Sequence, residues 1–410
     1  MTEFDFAKKI FELGGRAYLV GGAVRDKFRG VPAHDRDYCV TGVDEKIFSA
    51  AFPDAAKFGK SFPVYSVEID GEFCEVAFAR TERKVGTGYR GFEILFAPDV
   101  TIEQDLFRRD TTINAMAIEI LTGELVDPFG GRADVLGKKI RAVSEHFTDD
   151  PVRALRAARQ SAQFGFEICP QTIAAMKSCG TELSAEPAER IFDELETALA
   201  TDRPSIFFRS LQRADLLEII FPEIFQLRGK IHPAAFHPEG DAYEHTLAIV
   251  DAVAAANPKP VVRFAALMHD IGKGLTPPEM LPHHYQHEQR GLVVLNEMNR
   301  RIHLPSDWKK SAAFVIREHM RAPQLSKPGK IVSLLLNLNS LKISVEDFCD
   351  IIRADNHGLP FYLERAREII GELLKIRGKD APPDLTGKAV GQWIFDERVR
   401  RFVELYRRID

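Results

Sequence analysis

Tyr18-Leu19-Val20-Gly21-Gly22-Ala23-Val24-Arg25-Asp26, followed by Asp35-Arg36-Asp37, decides how this chain is read. An apolar run ends in a Gly-Gly turn, a helix starts, and a second strand then carries two carboxylates. Side chains two apart on a strand share a face, so Asp35 and Asp37 are expected to project together. Two adjacent carboxylates repel unless a cation lies between them, and hard oxygen ligands suit Mg²⁺. The Gly-Gly turn before a helix start offers backbone N–H groups on which a phosphate can rest. Gly-Gly alone is a turn, and Asp-x-Asp alone is often a solvated edge strand. In combination they are the parts of a nucleotidyl-transfer site.

The rest of the chain fits a soluble, multi-domain protein. Its 410 residues suffice for two or three domains with substantial cores. No apolar run approaches the roughly 20 residues that span a bilayer, so no membrane is expected as a partner. Met1 to Gly14 carries Glu3, Asp5, Lys8, Lys9 and Glu12 and reads as no signal peptide. Five scattered cysteines, with no Cys-x-x-Cys, argue for reduced thiols in a cytoplasmic setting. The net charge of −5 does not advertise a nucleic-acid partner, but binding needs only a local basic surface. Candidates are Arg153, Arg156 and Arg159, and a C-terminal set that includes Arg365, Arg367, Arg398 and Arg401.

Strand-like runs at Pro63 to Ile69, Phe73 to Ala79 and Glu93 to Phe96 fall in the first third. From Pro151 on, helical periodicity takes over at Ile191 to Leu199, Ile206 to Ile220, Tyr243 to Ala255, Val261 to Met268 and Trp308 to Met320. Proline breaks at 233–238, 258–260, 277–282 and 382–383 punctuate these helices. The expected fold class is α+β: a mixed-sheet head with helices, then an all-helical neck and body. Residues 1–140 form the head, 141–225 the neck, 226–360 a second helical domain and 361–410 a helical tail.

Gly-Gly-x-Val-Arg-Asp and Asp-x-Asp at this spacing resemble the polymerase-β nucleotidyltransferases, specifically the class II tRNA nucleotidyltransferases (CCA-adding enzymes). Further matches at Arg108-Arg109-Asp110, at Asp149 to Arg159 and in the histidine region extend the resemblance over most of the chain. It implies template-independent addition of CCA to tRNA 3′ ends from CTP and ATP, with release of pyrophosphate. Asp35 and Asp37 would then hold Mg²⁺, with Glu75, on the strand face opposite Cys74 and Val76, as the third carboxylate. Gly22 and Arg25 belong to the nucleotide-binding turn. Arg109, Asp110 and Asn114 would handle triphosphate and ribose, with Asp110 and Asn114 on one helix face.

Asp150 reads locally as a helix N-cap, with Pro151 at the first helical position. The resemblance adds that Asp150 and Arg153 act as a protein template. The Asp accepts from the exocyclic amine of cytosine or adenine, and uracil and guanine present a carbonyl there instead. Arg156 and Arg159 continue that face, and Glu189, Arg190 and Glu194 would brace it. Here Asp149-Asp150 replaces the family's usual Glu-Asp opening. The basic, glycine-bearing stretch Arg80 to Arg90 looks like the loop that switches the family from C to A addition.

His245, His269-Asp270 and Asp355 resemble an HD phosphohydrolase domain of the multifunctional bacterial type, which hydrolyses 2′,3′-cyclic phosphates and phosphomonoesters. Mixed N and O ligands favour a divalent metal, with imidazole pointing to transition ions such as Ni²⁺, Mn²⁺ or Co²⁺ and Mg²⁺ left open. His283, His284, His287 and His319 could supply a second ion or none. Two alternatives remain at this stage: an A-adding or poly(A) polymerase, and an HD phosphohydrolase with a non-catalytic RNA-binding head. Monomer and homodimer are both open.

Overall fold

In a computed structural model of the chain, the described residues are 1–33, 35–58, 62–86, 91–232, 240–356 and 358–407. Contacts divide the chain into two units. The first is Met1–Glu194 with Ile206–Ile220, and the second is Leu195–Ser205 with Phe221–Asp410.

The first unit is built on a seven-stranded mixed sheet. Its strands are β1 (Arg16–Val20), β2 (Asp37–Thr41), β3 (Ala56–Phe58), β4 (Val64–Ile69), β5 (Glu72–Phe78), β8 (Ala117–Glu119) and β9 (Leu125–Val126); β6 (Arg80–Lys84) and β7 (Phe92–Phe96) form a separate hairpin. The order is β3-β4-β5-β2-β1-β8-β9, and only β2 and β5 run parallel. Tyr38, Cys39 and Val40 are buried on both faces of β2, as a central strand requires. One face packs on helix α1 (Glu3–Glu12) through Phe6 and Ile10, joined by Phe48 and Phe78. That helix starts on a capping box between Thr2 and Asp5. The buried Tyr38 hydroxyl donates to Glu3 Oε1 at 2.7 Å, so the sheet's central strand and α1 are tied by a polar contact as well.

Helix α2 (Gly22–Arg29) leaves β1 through Gly21 at φ +66° and stops at Gly30 at φ +71°. Gly21 is needed twice over: its φ is left-handed, and a Cβ there would meet the Arg109 guanidinium at 3.1 Å. Beyond the sheet, α3 (Val152–Phe164) presents Arg153, Arg156 and Arg159 at three-residue spacing, while Ala154, Ala157 and Ala158 are buried behind them. After two intervening helices, Pro170–Ser178 and Gly180–Leu183, comes α4 (Ala188–Leu199).

The second unit is helical. Helix α5 (Ala242–Ala256) starts on Asp241, whose side chain accepts from Glu244 N at 2.9 Å, and α6 (Pro260–Met268) starts with proline in its first turn. Val262 through Met268 are all buried, so α6 is the central helix of this unit. Its buried Arg263 donates to four carbonyls, of Asn257, Leu199, Thr201 and Ala254, at 2.6–2.9 Å. These are carbonyls at the ends of two helices, so the guanidinium caps two chain segments at once. Helices α7 (His287–Ile302), α8 (Ser306–Glu318) and α9 (Val345–Asn356) complete the site-bearing part. No helix among the described residues is long and apolar enough to cross a membrane.

The α+β head followed by helices is as expected, with local differences. Strand β2 begins at Asp37, leaving Asp35 in the segment before it. The periodic run Ile206 to Ile220 is two helices, Ser205–Arg213 and Leu217–Ile220, parted at Asp215, whose φ is +55°. The expected helix over Asp110 and Asn114 is a single 3₁₀ turn, Thr112–Asn114, preceded by a bend. Helix α3 starts one residue later than expected, at Val152, yet Asp150 Oδ1 still accepts from Val152 N at 3.2 Å.

Candidate active site and metal centre

The parallel register of β2 and β5 sets Asp37 opposite Glu75. Both carboxylates are exposed while Tyr38, Cys74 and Val76 are buried, so period-two alternation delivers two acids to one face of the sheet. Desolvation in the cleft, then the charge of Glu75, push the Asp37 carboxyl above its ordinary value; Asp35 adds to this and Arg109 opposes it. Such mutual repulsion between acids is what a bound cation relieves, and the donor set is all oxygen. The residues therefore fit a hard divalent metal.

Asp37, Gly21, Gly22 and Arg25 open on a cavity of about 520 Å³ whose far wall is α3. Its cationic wall is held in place from beneath. The buried Asp105 accepts from Arg108 Nη2 at 2.7 Å and Arg109 Nη2 at 3.0 Å, one carboxylate oxygen each. Burial alone would raise this carboxyl, but the two guanidinium groups outweigh it and hold it below its usual range. Arg109 also donates to Asn114 O at 3.2 Å, and Arg25 to Asn114 Oδ1 at 2.7 Å. Arg25 and Arg29 lie over the Phe164 ring at 4.4 and 4.6 Å.

Asp110 is a hub rather than an open ligand. Fully buried, it accepts from Arg156 Nε at 2.8 Å, Gln160 Nε2 at 3.0 Å, Thr111 N at 2.7 Å and Asn114 Nδ2 at 3.1 Å. Burial opposes its ionisation, yet the Arg156 charge and these bonds hold the carboxyl well below the usual range. Arg156 and Arg159 line the cavity, but both are engaged by Glu194, at 3.6 and 2.6 Å. Asp150 Oδ2 accepts from Arg190 Nη2 at 2.7 Å, and Arg190 is held in turn by Glu186 at 2.6 Å. Arg153 donates to His146 O at 2.6 Å and lies 3.9 Å from Glu82. Asp150 and Arg153 thus sit rigidly side by side on the cavity wall. Of the stretch Arg80 to Arg90, the first five residues form β6, while Thr87, Gly88, Tyr89 and Arg90 lie outside the described residues.

In the helical unit, His245 from α5, His269 and Asp270 at the end of α6, and Asp355 from α9 converge. His245 Nε2 lies 3.2 Å from Asp355 Oδ1, and His269 Nε2 lies 3.2 Å from Asp270 Oδ2. His287 and His319 approach the other oxygen, Asp270 Oδ1, at 3.2 and 3.3 Å. Each histidine pair brings Nε2 atoms within 3.4 Å, His245 to His269 and His287 to His319. Their Nδ1 atoms face backbone carbonyls in His269, His287 and His319, which directs the Nε2 lone pairs inward. Asp270 Oδ1 is buried with no hydrogen-bond partner. An orphaned carboxylate oxygen among inward imidazoles fits a metal, and two ligand groups share Asp270. Burial would raise the Asp270 carboxyl, but Lys273, at 2.5 Å, and then His269 hold it well below its ordinary range. Asp355 is lowered to about 2, the His245 contact outweighing burial. Gly272 makes the close packing possible, since a Cβ there would sit 1.9 Å from His287 O. The other two candidates stand apart. His284 is occupied by Thr276 Oγ1 at 2.8 Å and Ile231 O at 3.1 Å, and the exposed His283 stacks beside Tyr285.

Sequence reasoning missed Glu82, Asp105, Gln160 and Glu186. Asp105 precedes Arg108 and Arg109 by three and four residues, a spacing that signals helical ion pairs. Glu186 stands four residues before the Arg190 it holds, a spacing of the same kind. Glu82, in contrast, meets Arg108 and Arg153, and Gln160 meets Asp110, through tertiary packing that nothing in the sequence announces.

The sheet, the paired acids and the arginine-walled cavity are those of a nucleotidyltransferase head, followed along the chain by a helical unit with candidate metal-binding groups. The chain matches the poly A polymerase head domain over residues 17–141, the probable RNA and SrmB-binding site of polymerase A over 165–227, and the HD domain over 242–360. It is 37% identical over 415 residues to the multifunctional CCA protein of Acinetobacter baylyi, covering 96% of this chain and 98% of that one. It is 44% identical over 362 residues to that of Methylococcus capsulatus, covering 85% and 84%. The CCA-adding enzyme of Bacillus stearothermophilus in complex with CTP shares the fold, with a TM-score of 0.69 at 23% identity over 98% of this chain and 92% of that one. This chain belongs to the multifunctional CCA protein family.

Proposed function

We propose that the chain completes tRNA 3′ ends, adding C, C and A from CTP and ATP without a nucleic-acid template and releasing pyrophosphate. One observation carries this: Asp150 and Arg153 open on the same cavity as Gly21, Gly22, Arg109 and Asp37. Base selection and phosphoryl chemistry therefore share one chamber. Relatives of this family are named multifunctional CCA proteins, and solved proteins of this fold are described with CTP and with ATP.

Asp35, Asp37 and Glu75 would hold Mg²⁺, which when bound lowers the pKa of an attacking RNA hydroxyl and neutralises the leaving pyrophosphate. The chain's own residues do the positioning. Gly21 and Gly22 bring backbone against the triphosphate, and Arg109, fixed by Asp105, supplies bidentate donors. Arg25 and Asp110 orient the Asn114 amide, which faces the ribose. Asp150 accepts from the exocyclic amine of cytosine or adenine, and Arg153 donates to a ring acceptor. Each Asp150 oxygen takes one intramolecular bond and keeps a lone pair for the base. Uracil and guanine would set a carbonyl oxygen against that carboxylate, a repulsive contact in a site built to accept.

The second activity is metal-dependent phosphoester hydrolysis on 2′,3′-cyclic phosphates and phosphomonoesters. His245, His269, Asp270 and Asp355 would hold one divalent ion and Asp270, His287 and His319 a second; imidazole ligands favour a transition metal such as Ni²⁺, which activates water. The setting is cytoplasmic, consistent with five unpaired thiols. The body and tail grip tRNA by shape and backbone contact, and the protein works as a monomer or homodimer.

Asp37→Ala and His269→Ala separate the two sites. Asp37→Ala should abolish nucleotide addition and leave phosphomonoester hydrolysis intact, and His269→Ala should do the reverse. Nucleotide addition by Asp37→Ala at the wild-type rate would refute the assignment of the head.

A further inference from the structure

Arg153 makes its short bond to a carbonyl, not to a carboxylate. Its Nη1 donates to His146 O at 2.6 Å, while the nearby Glu82 Oε2 stands 3.9 Å from Nη2 and the other Glu82 oxygen is taken by Arg80 and Arg108. The carbonyl belongs to a 3₁₀ run, Glu145–Asp149, that leads directly into Asp150. Such runs have poor hydrogen bonds of their own and seldom exceed about four residues, so side chains decide the shape of this one. His146 supplies the clamp. Its Nδ1 lies 2.7 Å from Asp149 Oδ2, its ring meets Phe107 edge-on at 5.3 Å, and its backbone N–H donates to Ser144 Oγ at 3.2 Å. A carboxylate only accepts, so Nδ1 carries the proton in this contact.

We propose that His146 is a positioning residue for base selection: its clamp on Asp149 fixes the carbonyl that aims Arg153 at the incoming base. This role rests on the proposed polymerase activity. The atom that Arg153 addresses is N3 of cytosine or N1 of adenine, and both are acceptors. The same ring positions in uracil and guanine carry N–H, which opposes a guanidinium donor. Asp150 is fixed separately by Arg190, so loss of the clamp misplaces only one of the two groups that read the base. Released from the carbonyl, Arg153 would settle on Glu82 instead of the base.

The test compares His146→Ala with wild type, as whole proteins, on a tRNA transcript lacking its 3′ CCA. Losing the equivalent of one hydrogen bond should raise KM for CTP by about 2- to 12-fold and cut the preference for CTP over UTP by a similar factor. KM for the RNA should stay unchanged. The thermal midpoint should hold as well, because the His146 and Asp149 side chains are 43% and 23% exposed and such pairs add little stability. His146→Asn places an amide where Nδ1 stood and should restore both KM and preference. Asp149→Ala should match His146→Ala, and the double variant should be no worse than either, because all three lack the same contact. An unchanged preference for CTP over UTP, equal rises in KM for CTP and for RNA, or additive effects of the two alanines overturn the proposal. Should His146→Ala fold poorly, Asp149→Ala carries the test, because it leaves the His146 ring against Phe107. Calorimetric binding of CTP and UTP needs no chemistry. A protein that extends no RNA, yet loses CTP affinity by the same factor in His146→Ala, refutes the polymerase reading and leaves the positioning role standing.

Discussion

Asp110→Asn tests whether the buried carboxylate is the keystone between the 3₁₀ turn and α3. The substitution keeps size and shape but removes a charge that accepts from Arg156, Gln160, Thr111 and Asn114. One oxygen becomes an NH₂ group facing donors, and Arg156 is left with only the 3.6 Å contact to Glu194. Breaking one side of a buried, hydrogen-bonded ion pair costs about 3–5 kcal/mol. The Arg156 side chain is 40% exposed, so water takes back part of that cost, and the expected loss is about 2–3 kcal/mol. Urea unfolding read by hydrogen exchange over 152–164 reports on the first unit, whereas tryptophan fluorescence would not, because Trp308 and Trp393 both lie in the other unit. The folded Asp110 carboxyl lies below its unfolded value of about 3.9, so the stability it contributes is complete above that pH. It is lost as pH falls through the folded value. The gap between wild type and Asp110→Asn should therefore be full at pH 7 and at pH 5, and shrink progressively below about pH 4. A gap under about 1 kcal/mol at pH 7, or one independent of pH down to acid unfolding, would refute the reasoning.

Asp150→Asn should raise UTP incorporation relative to CTP, because an amide can donate to the uracil carbonyl that the carboxylate repels; competition between labelled CTP and UTP measures it. Arg190→Met removes the charge-assisted bond that orients Asp150 and should raise KM for CTP and ATP by about tenfold or more, with kcat less affected. Metal titration by mass spectrometry should find two ions per helical unit in wild type and one in a His287→Ala, His319→Ala double variant; two ions in the variant would rule out the shared Asp270 site. Gly272→Ala forces a methyl onto His287 O and should weaken metal binding and hydrolysis together while nucleotide addition persists, and an unaltered metal affinity would contradict that packing.

Much of the head was legible because its signals are local. Strand alternation put Glu75 opposite Cys74 and Val76, and the β2–β5 register then paired it with Asp37. His269-Asp270 announced the second centre through adjacency, and Asp355 reached it although 85 residues separate it from Asp270. The polar scaffold was less legible. Asp110 looked like an open ribose ligand, since nothing in the chain shows that Arg156 and Gln160 close over it. Among four further histidines, sequence offered no means to choose His287 and His319 over His283 and His284. The choice depends on α7 and α8 turning their Nε2 atoms toward Asp270, which is a packing result.

The central claim is tested most directly by incubating the purified protein and Mg²⁺ with a tRNA transcript lacking its 3′ CCA, supplying CTP and ATP singly and together. The account predicts two C additions with CTP alone and a full CCA end only when both are present. Addition of A alone to RNA already ending in CC, with CTP never incorporated, would contradict it.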